Sequence, residues 1–400
     1  MDSETDRLSA LLDNSLSSRI LSKISYRDVV RCSLLSKRWR FLWKEMPILV
    51  FRWQDFEKQK DDEICTIICN ALFHHDVLHS FLLKIALDDP KTADLNNWIR
   101  LAAEKQVRSI ELNISYRDPK TGKRIDNSSM VDLGDSVFSC ENLTSLTLQY
   151  INLPKVPTDF GIFEFLKTFN FIKNLSVDDT TLEEFIGVCP NLENLEIRSC
   201  MGLKNLYIDA PTLMYLSLGN LSPEISLQMD CPLLTEVNLM DCGKYQGIRL
   251  LQGISSKESV TVISLQNYSR GKAVNLELPS ITVLNGFPEL EELIIHGQCF
   301  QEMISDEIPV PELTLPKLEM VDAHIGPDNG VQTVTFLGLL LRSSPVNVTR
   351  VFLWERCPTI MRKKLQNLKK EFSKSRVSIA TRGWSMEWKE HCPLCSRYRH

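Results

Sequence analysis

Cysteine and histidine side chains near residue 400 have the types and spacing of metal ligands. Cys392 and Cys395 form a C-x-x-C pair within HCPLCSRYRH, and His391 and His400 flank that pair. Such a knuckle can hold zinc, but a structural zinc site usually takes a second pair of ligands from a separate segment. We therefore predict no metal here, and a frayed or processed tail is the simpler interpretation.

Three histidines form a second candidate metal group in the region 52–80. His75 and His79 are four residues apart and could share one helix face, with His74 beside them. No acidic or thiol ligand joins them locally. We predict neither a metal nor any other cofactor for this chain.

The sequence patterns of common catalytic sites are missing. The chain has no G-x-x-x-x-G-K-[ST], G-x-G-x-x-G, G-x-S-x-G or H-E-x-x-H pattern. Its seven histidines show no nucleophile–base arrangement, although a triad assembled only in space would leave no such trace. The expectation is a protein that is not an enzyme.

Composition narrows the class of protein. Hydrophobic residues make up 43% of the chain and the net charge is −5, so no chain-wide basic footprint indicates a nucleic-acid partner. The first residues lack a basic region followed by an apolar run, and no window is long and apolar enough for a membrane span. With no secretory signal, the 12 cysteines indicate reduced thiols. We expect a soluble intracellular protein of the nucleus, the cytoplasm or both, with no membrane partner.

Apolar residues in the segment 6–47 have the spacing of three short helices. We predict N-caps at Asp13 and Asp28 for the first two helices and a start near Ser36 for the third. The apolar stripe is too large for so short a segment to bury alone. A partner must cover part of it.

The same segment resembles the plant F-box. The resemblance rests on the DR pair at Asp6, ILS at Ile20, DVV at Asp28 and, above all, LSKRWRFLW from Leu35 to Trp43. It implies docking onto a Skp-family adaptor, and through that adaptor onto a cullin, in a ubiquitin ligase. The adaptor-binding residues that it implies are Leu8, Leu12, Leu16, Ile20, Leu21, Ile24, Val29, Val30, Leu35, Trp39, Leu42 and Trp43.

Two positions depart from the family pattern. Leu12 and Ser25 stand where the family usually has proline. The alternative interpretations are a helical cap on the following domain and a stand-alone repeat scaffold that binds no adaptor.

From Leu82 onward the pattern L-x-x-L-x-L recurs, which indicates leucine-rich repeats. The predicted repeats are Leu82/Ile85/Leu87, Val107/Ile110/Leu112, Leu143/Leu146/Leu148, Ile172/Leu175/Val177, Leu192/Leu195/Ile197, Leu213/Leu216/Leu218, Leu234/Val237/Leu239, Val260/Ile263/Leu265, Leu290/Leu293/Ile295, Leu318/Val321/Ala323 and Val348/Val351/Leu353. The triplet Leu203/Leu206/Ile208 is either a very short repeat or part of a return segment. Cys200 and Cys242 occupy the position where such repeats place Asn or Cys.

These patterns predict an α/β protein: a three-helix F-box followed by an irregular leucine-rich-repeat solenoid with a curved parallel sheet and outer helices and loops. The predicted limits are 1–50 for the F-box, 51–80 for a linker with a helix from Ile64 to Leu72, 81–357 for the solenoid and 358–400 for a helix and tail. Outer helices are predicted at Thr180–Val188 and between Arg362 and Arg376. The segments KIALDD and CPNLENLEIRSC also resemble plant F-box/leucine-rich-repeat proteins.

Residues between the leucines should point away from the core, where a target protein could bind. We predict that recognition is weighted toward the late repeats, because apolar, aromatic and arginine side chains form binding hot spots. The candidate residues are Ile294, His296, Met320, His324, Arg350, Phe352 and Trp354. Burial of Phe352 and Trp354 under the tail is the alternative. Arg198 and Arg350 could also bind a small anion, as expected of a ligand-sensing receptor.

The resemblance implies a substrate receptor of a Skp–cullin–F-box ubiquitin ligase. Its F-box would bind the adaptor and its repeats a target protein. The alternatives are a stand-alone interaction scaffold and a receptor for a small molecule on the concave face.

Overall fold

The structure is a computed structural model that describes most of the chain. The described residues are 26–32, 34, 43–118, 120–121, 123–125, 131–241, 246–267, 281–297, 313–325, 337–338, 340–342, 348–354, 359–372 and 376–382. The chain divides into two compact units, Met1–Leu213 and Met214–His400. No helix within the described residues is long and apolar enough to cross a membrane.

A sheet of parallel strands forms the framework of the first unit. Its strands pair in chain order: β1 (Ile48–Arg52), β2 (Ser80–Leu87), β3 (Ser109–Arg117), β6 (Ser145–Gln149), β8 (Thr168–Ile172) and β9 (Asn194–Arg198). Short strands lie beside it: β4 (Arg124–Ile125), which is antiparallel to β3, and the parallel pair β5 (Val131–Asp132) and β7 (Ile151–Asn152). Strand β10 (Asn205–Asp209) lies outside this sheet.

Alternation along each strand sends every second side chain into the core. The in-register pairing aligns these side chains into two apolar rows across the sheet. The rows are Leu49, Phe81, Ile110, Leu146, Phe169 and Leu195, and Phe51, Leu83, Leu112, Leu148, Phe171 and Ile197, all of them buried. A single repeat contributes one residue to each row and leaves that residue uncovered on both sides, so the rows are buried only when repeats stack.

Helices connect several strands of the first unit. They are Tyr26–Cys32, Asp61–His74, Leu95–Glu104 and Asp179–Gly187, with 3-10 turns at Trp43–Glu45, Trp53–Phe56, Pro90–Thr92 and Asp135–Ser139. Side-chain caps start two of them: Asp94 accepts a hydrogen bond from the Asn97 amide, and Asp178 accepts one from the Thr181 amide. The predicted helices in the linker and at Thr180–Val188 are confirmed. Asp28, however, lies in the first turn of Tyr26–Cys32 and is not its N-cap.

Parallel strands also form the framework of the unit Met214–His400, and we refer to these strands below as the second sheet. Its strands are β11 (Tyr215–Gly219), β13 (Glu236–Met240), β14 (Val262–Asn267), β15 (Glu292–Gly297), β16 (Met320–Ile325), β17 (Val348–Trp354) and β18 (Arg376–Arg382). The unit also contains β12 (Ser226–Asp230), the helices Gln246–Gln252 and Thr359–Glu371, and 3-10 turns at Lys257–Ser259 and Ile281–Gly286. The predicted helix near the carboxyl end is confirmed, and its Leu365 and Leu368 are buried.

The α/β fold class with leucine-rich repeats is confirmed, but three repeats are placed differently from their predicted triplets. The strand register gives Phe81/Leu83 and Phe169/Phe171 as core pairs, and Thr349/Val351 in the last predicted repeat. The predicted residues Leu82, Ile172 and Val348 therefore fall at outward positions of their strands, and Leu175 is 48% exposed. The aliphatic template failed because phenylalanine and threonine occupy core positions in these repeats.

The sheets also include strands at both ends of the predicted repeat region. β1 pairs with β2, and β18 pairs with β17, although both lie outside the range 81–357. The structure also decides between the two interpretations of the triplet Leu203/Leu206/Ile208. The triplet supplies β10, whose Asn205 and Tyr207 amides donate to Asp179 and Glu183 of the outer helix, so it belongs to a return segment.

A buried polar residue closes the turn after several strands. Cys200 is buried with its Sγ 3.6 Å from the Phe171 carbonyl oxygen, as predicted for its position; Cys242 lies outside the described residues. Burial raises the pKa of the Cys200 thiol to about 12, so the thiol stays protonated. Asn174 holds the equivalent place one repeat earlier, which the shifted repeat concealed. Its Nδ2 donates to the Ile151 carbonyl at 2.8 Å, and its Oδ1 accepts from the Val177 amide at 2.9 Å.

We expect Asn174→Ala to lower the free energy of unfolding by about 2–4 kcal/mol, since it leaves buried backbone groups without partners. Urea denaturation of the two proteins measures this difference. Asn191→Ala is the matched control, because Asn191 is exposed and makes a single hydrogen bond, to the Glu164 carbonyl. It should cost less than about 1 kcal/mol. Equal losses in the two variants would contradict the assigned role of Asn174.

A buried hydroxyl in the second unit generates the opposite expectation. Thr349 lies in a core row between Val321 and Val377, and its Oγ1 has no hydrogen-bond partner among the described residues. Thr349→Val should therefore raise the free energy of unfolding by about 1 kcal/mol. Thr235→Val, which removes a hydroxyl bonded to the Met214 carbonyl, should give no gain. Thermal or urea unfolding distinguishes the two.

Candidate functional site

The helix Tyr26–Cys32 packs against the first strand of the sheet. Val29 is buried on this side, and the Tyr26 ring lies 4.9 Å from the Phe51 ring, centroid to centroid. Trp43 meets the Tyr26 ring edge-on at 6.1 Å. These contacts fix the end of the predicted F-box on β1.

Backbone hydrogen bonds hold the segment 43–47 from its other side. The Asp76 amide donates to the Lys44 carbonyl at 2.8 Å, and the His79 and Ser80 amides donate to the Pro47 carbonyl at 2.7 and 2.9 Å. We define the junction as the helix Tyr26–Cys32, the segment 43–47, β1 and residues 75–80. It is one packed assembly rather than a loose linker.

His75 lies at the centre of the junction. Its ring is 1% exposed, its Nε2 lies 2.6 Å from the Met46 carbonyl oxygen, and its centroid lies 6.0 Å from that of Trp43. Burial is the main cause that lowers the pKa of His75. The helix ends at His74 and His75 is extended, so the idea that His75 and His79 share a helix face is wrong. Among the described residues, no group of three or more His, Cys, Asp or Glu side chains could hold a metal ion.

The strand register aligns the residues on the outer face of the second sheet into three rows. The central row consists of Ser217, Asn238, Ser264, Ile294, Asp322, Arg350 and Ser378. The flanking rows consist of Tyr215, Glu236, Val262, Glu292, Met320, Val348 and Arg376, and of Gly219, Met240, Gln266, His296, His324, Phe352 and Ala380. From Ser217 to Asp322 the central row is buried, whereas Arg350 is partly exposed and Ser378 is exposed.

That burial corrects one predicted site residue. Ile294 was expected to be exposed, but it is only 1% exposed, between Ser264 and Asp322 in the central row. Met320 and Arg350 remain partly exposed. The side chains of His296, His324, Phe352 and Trp354 lie outside the described residues.

Arg350 is held by a carboxylate rather than left open to a ligand. Its Nε and one terminal nitrogen approach the two oxygens of Asp322 at 2.5 and 2.7 Å. Asp322 is buried, and its hydrogen bond raises the pKa of Arg350. Arg198 likewise lies 2.5 Å from Glu196. Burial raises the pKa of Glu196, and the charge of Arg198 only partly opposes this effect. Both candidate anion-binding arginines therefore already have a carboxylate partner.

A largely buried arginine in the first unit was not predicted from the sequence. Arg117 ends β3 and is largely buried. It bonds Asp88 at 2.6 Å, Asp61 at 3.2 Å and the carbonyl oxygens of Phe56 and Gln59. Its hydrogen bond to Asp88 is the largest cause that raises the pKa of Arg117. The cluster ties the sheet to the start of the helix Asp61–His74, so its role is structural.

Family models match two parts of the chain. The F-box domain model matches residues 11–51, and a model described as "FBD-associated F-box protein At5g56370, LRR repeats" matches residues 95–263. The chain therefore contains an F-box domain followed by leucine-rich repeats. The F-box match ends inside β1, so the F-box includes the segment that packs into the junction.

Relatives from Arabidopsis thaliana have the same two parts in their names. The F-box/FBD/LRR-repeat protein At5g56420 is 31% identical over 255 residues, which are 60% of this chain and 56% of the relative. The F-box/LRR-repeat protein At3g26922 is 27% identical over 66% of this chain and 94% of its own length. The F-box/FBD/LRR-repeat protein At3g52680 is 29% identical over 86% of this chain and 62% of its length. The match thus covers less than two thirds of the first and third relatives.

The structure describes three of the predicted adaptor-binding residues of the F-box. Val29 is buried against β1 and so cannot present a free surface, and Trp43 is half-buried in the junction; Val30 is 40% exposed. Leu34, the first leucine of SLLSK, was not among the predicted contact residues, and it is 86% exposed. The remaining predicted residues lie outside the described residues: Leu8, Leu12, Leu16, Ile20, Leu21, Ile24, Leu35, Trp39 and Leu42. The four tail residues His391, Cys392, Cys395 and His400 lie outside them too.

For the Asp322–Arg350 pair we expect Arg350→Met to lower the free energy of unfolding by about 1–3 kcal/mol. The change leaves the buried Asp322 carboxylate without its charged partner, and partial exposure of Arg350 moderates the cost. Arg342→Met is the control, because Arg342 pairs with Glu371 on the surface at 2.9 Å. It should change stability by less than about 1 kcal/mol. If both variants unfold at the same urea concentration, Arg350 does not stabilise the sheet.

Proposed function

We propose that this protein is the substrate-recognition subunit of a Skp–cullin–F-box ubiquitin ligase. The observation that carries the proposal is the F-box match at residues 11–51 followed by the repeat match at residues 95–263 in one chain. The F-box binds a Skp-family adaptor and, through it, a cullin. The repeats bind a target protein in the nucleus or the cytoplasm.

In this role the protein is not catalytic. It holds a lysine of the target near a charged ubiquitin-conjugating enzyme, which turns a slow encounter between two proteins into a favoured one. The bond-forming chemistry belongs to other subunits. What the chain must supply is two binding surfaces.

The adaptor surface centres on the exposed apolar side of the F-box. Val30 and Leu34 are its best candidates among the described residues, because large exposed apolar side chains so close together favour burial by a partner. Trp43 serves this surface indirectly. Its ring is engaged by Tyr26 and His75, so it holds the F-box in place.

The target surface is proposed on the outer face of the second sheet. Its candidates are the predicted residues that remain. They are His296, Met320, His324 and Phe352 in the flanking rows, Arg350 in the central row and Trp354 at the end of β17. Ile294 is removed from this set because it is buried. Pairing of Arg350 with Asp322 favours a protein target over a small anion.

A pull-down of the purified chain with a Skp-family adaptor tests the proposal. We expect stable binding, and at least a tenfold loss of binding in the double variant Val30→Asp, Leu34→Asp, which places charges in an apolar contact. The matched control is Ile162→Asp, Leu175→Asp, since these side chains are 56% and 48% exposed and lie outside the junction. The control should bind normally.

An unmodified chain that fails to bind the adaptor would overturn the proposal and leave a stand-alone repeat scaffold. Equal binding by both double variants would move the adaptor surface away from Val30 and Leu34. A Trp43→Ala variant is a poorer probe, because loss of its ring contacts would loosen the F-box itself.

A further inference from the structure

We propose that His75 is a positioning residue that latches the segment 43–47 of the F-box to residues 75–80 only in its uncharged form, so that acid detaches this segment. The geometry of the junction carries this inference. It concerns the regulation of the proposed adaptor-binding surface, and so it rests on the proposed function for its consequence. The latch itself belongs to this chain alone and can be measured without an adaptor.

Hydrogen bonding fixes the tautomer of the His75 ring. A carbonyl oxygen only accepts, so Nε2, at 2.6 Å from the Met46 oxygen, must be the nitrogen that carries the proton. Nδ1 is then an acceptor. It is buried and has no hydrogen-bond partner among the described residues. A neutral ring tolerates this arrangement, because an acceptor nitrogen without a donor is less costly to bury than a charge.

Protonation changes the balance at Nδ1. The imidazolium would present a second N–H with no acceptor in a site where the ring is 1% exposed, and it would place a full positive charge there. The Trp43 ring, 6.0 Å away at a tilt of 44°, covers one side of the site. Exposure of the charge to water therefore requires the segment 43–47 to move away.

The charged neighbours only partly oppose this cost. Asp76, the next residue, favours the imidazolium, whereas Lys105 at the end of the helix Leu95–Glu104 disfavours it. Lys44 adds another cation on the segment 43–47, and Tyr26, the titratable residue packed on Trp43 from the first helix, has a pKa raised by burial and stays neutral. Burial outweighs the Asp76 charge and the Met46 hydrogen bond, which is why the pKa of His75 is lowered.

The sign of the pH effect follows from that direction. In the latched state the pKa of His75 lies below its ordinary value of about 6.5, so below this pH the detached state binds the extra proton. The latch is therefore complete at neutral pH and weakens as pH falls. If the detached ring titrates normally and the latched ring stays neutral, the equilibrium for detachment rises about tenfold from pH 7.5 to pH 5.5.

Hydrogen–deuterium exchange of the full chain measures detachment directly. The reporters are the amides of Asp76, His79 and Ser80, which donate to the segment 43–47. After correction for intrinsic exchange rates, we expect about tenfold more opening at pH 5.5 than at pH 7.5. His75→Gln can donate to the Met46 carbonyl but cannot titrate, so its opening should be independent of pH. His74→Gln and His79→Gln, both exposed, should keep the wild-type pH dependence.

The proposal is overturned if His75→Gln retains the tenfold pH effect, or if either control variant abolishes it. If His75→Gln fails to fold, NMR titration of the histidines in the unmodified chain decides the question. A pKa of His75 at or above the ordinary value for histidine would overturn the latch. None of these outcomes bears on whether the F-box binds an adaptor at neutral pH.

Discussion

In-register pairing of short parallel strands is the constraint on which the rest of this protein depends. Each strand of five to nine residues contributes core side chains, which are covered by the neighbouring strands and, as where Phe185 packs on Phe169, by an outer helix. The repeat is thus stable in a stack and not alone. The same register also aligns the outward residues, so the surface that faces a partner follows from the packing of the core.

The outer face of the second sheet shows how this alignment limits binding chemistry. The central row is buried from Ser217 to Asp322, so polar side chains there must find partners within the chain. Gln266 joins Asn238 and Ser264, and Arg350 neutralises Asp322. Arg350, which was predicted as a possible anion-binding residue, is thereby occupied. Recognition is left to the flanking rows and the strand ends.

The junction solves a different problem, the uncovered side of the first strand. An edge strand presents unpaired backbone groups and an open end of the apolar core. Here the F-box covers that end: Tyr26, Val29 and Trp43 pack around β1, and residues 75–80 hold the segment 43–47 from the far side. The two modules therefore share a core, and a single buried histidine can influence both.

The sequence by itself determined the class of each module, because the tryptophan-rich F-box pattern and the spacing of leucines are local properties. It determined the outward parity of Met320 and Arg350 for the same reason. It could not show that Phe81, Phe169 and Thr349 occupy core positions. The repeats around these residues were therefore misplaced, and the role of Asn174 was not predicted. The tertiary structure alone decided the burial of Ile294 and Val29, the partners of Arg117 and Arg350, and the place of His75, because each depends on contacts between residues distant in the sequence.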